Sequence, residues 1–209
     1  MEREASGLAA TVRFLQEENQ RLGEAYEELR EEVASLREGL KSIRGLLQAI
    51  ANLDTRMELQ PLLDRAMYEM LRAVDAADGS LILVNRGTQE LVFVLVRGAL
   101  QDRLQGYRMP VDTGIAGWVL AHREPVTAND IAQDERFSSV VDSAFQFRTQ
   151  SLACVPLLSR GQALGVIEVI NKFSGQPFGA KDLEMLTMLA SIMAMAIDLV
   201  GVVGERRSG

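Results

Sequence analysis

Residues 151–184, SLACVPLLSRGQALGVIEVINKFSGQPFGAKDLE, decide the fold. Two apolar runs, 151–158 and 163–170, flank the polar segment SRGQ. This pattern predicts a β-hairpin, with Gly161 supplying the positive φ that a tight turn requires. Asn171 and Lys172 follow, then a loop with glycine and proline, then Phe178. Asp182 stands at the mouth of a long apolar segment, which predicts a closing helix over 182–203.

The preceding residues supply the partners of that hairpin. Leu59, Leu62, Leu63, Ala66, Met67, Met70, Leu71 and Val74 recur at helical spacing up to about residue 77. Pro61 is tolerated in a first turn, which predicts a helix start near 58–60. Residues 80–85 and 90–97 read as strands around a turn containing Gly87. Short strands are expected at 109–111 and 125–127. Asp112, Thr113 and Gly114 are positioned to cap a helix carrying Ile115, Ala116 and Trp118, and Asn129 or Asp130 to cap the next turn. Residues 133–150 are polar, with Phe137, Phe145 and Phe147 spaced through them, and predict a partly helical flap.

Residues 8–50 carry a heptad. Leu8, Leu15, Leu22, Leu29, Leu36, Ile43 and Ile50 fall seven apart at one core position; Val12, Asn19, Tyr26, Val33, Leu40 and Leu47 fall at the other. Six unbroken heptads predict a long coiled-coil helix of about 64 Å. Asn19 in the seam favours two parallel strands, because each amide bonds its twin, and Glu32 can pair with Arg37 of the partner helix. The expected division is a dimerisation helix over 1–54 and a folded domain over 55–209.

The 209 residues are 47% apolar and 24% charged, enough for a sizeable core, with a net charge of −7. The pI is near 4.9 and no basic stripe appears, so nucleic-acid binding is not expected. A single cysteine excludes an intramolecular disulfide, and the charged N-terminus resembles no signal peptide. A cytoplasmic protein is expected. The uncharged run 185–197 is shorter than a membrane span needs, so no membrane insertion is expected.

Catalysis fails on residue supply. His122 is the single histidine and sits in AHREP at a predicted helix end, where an exposed surface residue is expected. Cys154 lies mid-strand, where a small buried side chain fits. One of each leaves no ordinary zinc site, no nucleophile–base pair and a poor haem ligand set. Walker and dinucleotide glycine patterns are absent. Neither an enzyme nor a resident cofactor or metal is expected.

VPL followed by GVIEVINK, then F-x-x-x-D, resembles the second half of a GAF domain, and TGIAGWVLAHREPVTAND (113–130) resembles its middle. The likeness covers about residues 55–203. It implies an α+β fold: a central antiparallel sheet of about six strands with helices on both faces. In the cyclic-nucleotide-binding branch the ligand lies between sheet and flap. Asn171, Lys172, Phe178 and Asp182 are similar to that branch's signature, which implies a stabilising role; Leu183 stands where a second acid would fall. The resemblance places Ser80, Ile115, Ala116, Asp142, Thr149 and Glu168 along the pocket. It also implies a departure: Val96 and Arg97 replace an aromatic and an acid that favour guanine. Arg97, a donor only, would read a base acceptor or a phosphate.

The expected function is therefore regulatory sensing by a homodimer joined through the coiled coil and terminal helices, with cAMP or cGMP as the expected ligand and a protein signalling partner downstream. Two alternatives stand beside it: a different small ligand, or a ligand-free dimerisation module in which Glu168 faces solvent, Asp142 is a loop charge and Thr149 a strand-entry residue.

Overall fold

The computed structural model describes residues 15–30, 33, 34, 37, 41 and 56–207, with side chains in the last block from 59 to 200. The chain forms two compact units, Met1–Lys41 and Ser42–Gly209. In the first, residues 15–30 are helical, and Leu15, Leu22, Tyr26 and Leu29 are exposed along that helix. The seam positions Leu8, Val12, Leu36, Leu40, Ile43, Leu47 and Ile50, Glu32, and the 54/55 boundary lie outside the described residues.

The second unit opens with helix α1 (Arg56–Ala73), strand β1 (Ala76–Asn85) and strand β2 (Glu90–Arg97). Helix α2 (Gln101–Leu104), strand β3 (Arg108–Pro110), helix α3 (Gly114–His122) and strand β4 (Val126–Ala128) follow. A 3₁₀ turn (Ile131–Gln133), helix α4 (Val140–Phe145), strands β5 (Leu152–Ser159) and β6 (Gln162–Lys172), and helix α5 (Ala180–Arg207) complete it. The six strands form one sheet in the order β3-β2-β1-β6-β5-β4, every neighbouring pair antiparallel. The class is α+β, as expected.

The β5–β6 hairpin closes through Arg160 and Gly161, both at positive φ (47° and 74°), with Ser159 opposite Gln162. Two consecutive positive φ values make this a type I′ loop, whose twist matches that of the strands. Side chains alternate across the sheet. Leu81, Leu95, Ala153, Val155, Leu157, Ile167 and Val169 pack under α1 and α5. On the opposite face Ile82, Phe93, Val96, Leu152, Cys154 and Val166 pack with Ile115, Ala116 and Val119 of α3 and with Leu104 and Ile131.

Several expected boundaries move. Helix α1 begins at Arg56, so Pro61 lies inside it rather than in its first turn; so near the helix start, the ring removes one early backbone bond and the helix persists. Strand β1 begins four residues before Ser80, because Ala76 and Asp78 pair with Lys172 and Ile170 of β6. The expected side-chain caps are not made: Thr113 occupies the N-cap of α3 and Asp130 that of the 3₁₀ turn, and neither side chain caps its helix.

Helix α5 also corrects a length argument. Ala180–Val200 gives 21 residues of mean hydropathy 1.8, long and apolar enough to cross a membrane by length and composition. Yet Leu186, Leu189, Ala190, Met193, Ala194 and Ala196 of this helix are wholly or almost wholly buried in the core beneath the sheet. That packing accounts for one side of its apolarity, while Met188, Met195 and Leu199 remain exposed.

Candidate functional site

The segment after β6 is a set of ties. Asn171, at φ 56°, accepts main-chain N–H bonds from Gln150 and Ser151 on Oδ1 and donates from Nδ2 to the Arg148 carbonyl. It thereby fixes the end of the flap segment to the sheet. Lys172 Nζ lies 2.8 Å from both carboxylate oxygens of Asp182, with the two side chains only 12% and 16% exposed, and sits over the ring of buried Phe178. Asp182 Oδ2 in turn accepts the Gly179 N–H at the start of α5. Asn129 caps nothing; it exchanges two hydrogen bonds with the main chain of Phe178 instead. All four signature residues thus hold elements together.

Beyond these ties, on the sheet face opposite α1 and α5, lies a cavity of about 60 Å³. Its floor is β1, β2, β5 and β6; its walls are α3 and the flap. All seven residues expected there border it: Ser80, Arg97, Ile115, Ala116, Asp142, Thr149 and Glu168. Their side chains play different parts.

Ser80 of β1 pairs with Glu168 of β6, which pairs with Cys154 of β5, so the three form a row across the floor. Ser80 is 3% exposed and Glu168 9%, and they are the two buried polar side chains among the described residues. Neither makes a hydrogen bond with any described residue. Burial, with the Asp142 carboxylate adding to it, pushes Glu168 up to about 7. Burial, with Glu168 adding to it, holds the Cys154 thiol well above its ordinary range, which leaves it an inert core residue.

At the α3 end, the first helical bond runs from the Gly117 N–H to the Thr113 carbonyl. The N–H groups of Gly114, Ile115 and Ala116 precede it, have no acceptor within the helix, and belong to residues bordering the cavity. The missing Thr113 cap is what leaves this amide cluster unclaimed.

Asp142 and Thr149 are joined to each other. Asp142 Oδ1 accepts the Thr149 hydroxyl and Oδ2 its N–H, both at 2.8 Å, which latches α4 to the entry of β5. Arg97 departs furthest from expectation. It borders the cavity, but its guanidinium grips Asp64 of α1 through Nε (2.9 Å) and Nη2, over the ring of Tyr68. A β-bulge at Val94 explains this: Ile82 pairs with Phe93 but Leu81 with Leu95, so alternation reverses and Arg97 faces the helices. Sequence reading did not anticipate Asp78, whose Oδ1 accepts the Ala99 N–H at 2.7 Å at the cavity edge, because it falls between the helix expected up to about residue 77 and the strand expected from Ser80. Burial raises Asp78 above its ordinary value despite that bond.

The GAF domain model matches residues 58–197. The chain belongs to the GAF domain family. Its GAF region is similar to two curated phosphodiesterases. One is the dual 3′,5′-cyclic-AMP and -GMP phosphodiesterase 11 of Drosophila melanogaster, 32% identical over 66% of this chain and 10% of that protein. The other is the dual phosphodiesterase 11A of Takifugu rubripes, 32% identical over 72% of this chain and 18% of that protein. The chain thus spans under a fifth of the length of either relative. Among solved structures, the GAF domain of a phosphoenolpyruvate-protein phosphotransferase from Coxiella burnetii superposes with a TM-score of 0.70 at 19% identity, over 81% of this chain and 98% of that one. That likeness speaks for the fold. A GAF domain of this kind is a regulatory module.

Proposed function

We propose that this GAF domain is a sensor whose cavity takes a cyclic nucleotide. The observation carrying the reading is the convergence of two unclaimed polar features on one cavity: the uncapped amides of α3 and the buried, unpartnered pair Ser80 and Glu168. Amides at a helix N-terminus favour a phosphate, and the polar atoms of Ser80 and Glu168, which no side-chain bond within the protein takes up, are not sealed away and stay open to a ligand. The similarity to the GAF regions of cyclic-nucleotide phosphodiesterases supports the same ligand class. A purine nucleotide exceeds 60 Å³, so binding requires the flap to swing out. The Asp142–Thr149 latch is the tie that must open, and both side chains then become available to sugar or base.

In this reading the protein is a cytoplasmic homodimer joined through its heptad helix and terminal helices, binds rather than transforms its ligand, and passes occupancy to a protein partner by shifting α5 against the sheet. Exposed Met188, Met195 and Leu199 on α5 suit such a subunit contact. A second reading, a ligand-free dimerisation module, is favoured by the fact that Asp142, Thr149 and Arg97 are already satisfied internally. Native mass spectrometry of the full chain with added cAMP and cGMP separates the two. Sensing predicts a dimer gaining one nucleotide per subunit, and loss of that gain in the double variant Glu168→Ala, Thr149→Ala. A dimer gaining neither nucleotide supports the second reading, and a monomer removes both.

A further inference from the structure

We propose that Glu168 chooses between purine bases, and that its proton decides the choice: the neutral acid takes an adenine edge, the carboxylate a guanine edge. The inference rests on the purine-nucleotide reading above and assigns the pocket its selectivity.

The geometry begins with position. Glu168 lies in the middle of β6, the strand flanked by β1 and β5, and borders the cavity with nine-tenths of its surface buried and its carboxyl making no hydrogen bond to any described residue. From β1 it is faced by Ser80 and by Asp78, whose carboxylate is taken by the Ala99 N–H. From β5 it is faced by the buried Cys154 thiol, and from α4 by Asp142, which is spent on Thr149. The one basic residue on the cavity border, Arg97 of β2, is held by Asp64 on the other face. Among the described residues no cation therefore stabilises the Glu168 carboxylate, and a like charge opposes it. Such an environment favours the neutral acid and brings the proton into the physiological range, in line with the value of about 7.

The two protonation states offer different hydrogen-bond patterns. A carboxylic acid presents one donor and one acceptor side by side; a carboxylate presents two acceptors. Adenine's Watson–Crick edge carries an amino donor beside the N1 acceptor and is complementary to the acid. Guanine carries N1–H beside an amino donor and is complementary to the carboxylate. Two parallel bonds of this kind discriminate bases by roughly tenfold to a hundredfold.

The test is the ratio of cAMP to cGMP dissociation constants, measured by calorimetry on the full chain between about pH 5.5 and 8.5, where neither base titrates. A ratio cancels any titration that affects both ligands alike. The expected result is a change of about tenfold or more, cAMP gaining at low pH and cGMP at high pH. Glu168→Gln presents one donor and one acceptor at every pH, so its ratio should stay flat on the adenine side. Binding of either nucleotide with a wild-type ratio constant to within about twofold overturns the proton-dependent choice and leaves the cyclic-nucleotide reading standing. Binding of neither at any pH overturns both. The wild-type profile decides the matter even if the variant folds poorly.

Discussion

The two faces of the sheet are built to different rules from the same six strands. Beneath α1 and α5 every buried side chain is apolar, and the helices that cover it are 18 and 28 residues long. Opposite, the cover consists of short helices of four to nine residues and a 3₁₀ turn, and both buried polar side chains lie there. Long helices give each core residue many neighbours and a high cost of opening. Short segments tied by single polar contacts, such as Asp142 to Thr149, give way locally while the rest stays folded. The helix face carries stability, and the pocket face carries the capacity to change shape.

The largest effect expected from breaking this contrast is in the helix face. Met67 is wholly buried between α1 and the sheet, so Met67→Ala should cost about 2–5 kcal/mol in denaturant unfolding. A loss below about 1 kcal/mol would deny this face its role as the stable one.

The next concerns the pocket floor and pH. The Glu168 carboxyl titrates near 7 in the folded protein against an ordinary 4.5. Between those values the unfolded chain has given up a proton that the folded one keeps, so stability should fall as pH rises through this window, by on the order of 3 kcal/mol in all. Glu168→Gln removes that slope and should raise the melting temperature at about pH 8 by several degrees while changing little near pH 4. Parallel melting curves for the two proteins across the window would show that Glu168 is not the buried acid described.

The smallest effect sharpens the contrast from the flap side. Asp142→Asn keeps the shape of the latch but weakens its bonds to Thr149, at a cost of about 1 kcal/mol. Amide exchange should accelerate over 137–150 and stay unchanged in α5. Acceleration spread evenly over both faces would mean that the flap does not open as a separate unit.

What could be read from the residues follows the same division. The hairpin was legible because its turn chemistry and apolar runs are local, and helix α1 because its period is unbroken. The cavity residues were legible through the family's motifs, and all seven border the cavity. Less legible were features decided by pairing at a distance. The first residues of β1 fall in the expected helix end and the gap after it until β6 pairs with them, and Arg97 points into the pocket by simple alternation until the bulge at Val94 reverses it. The Thr113 cap was expected because threonine there has the right chemistry, yet its side chain makes no cap bond.

Strand β6 has one neighbour two residues away and another from the far end of the domain. Its bonds to β5 close across Arg160–Gly161, whereas its bonds to β1 join Ala76 to Lys172. A two-residue hairpin of this kind forms in about 1–10 μs, but pairing β1 must first close the long loop from Leu83 to Gly165. The β5–β6 hairpin can therefore serve as an early template, with β1 arriving late. Since Ser80 meets Glu168 only when β1 docks on β6, the floor of the pocket is completed after the hairpin that carries half of it.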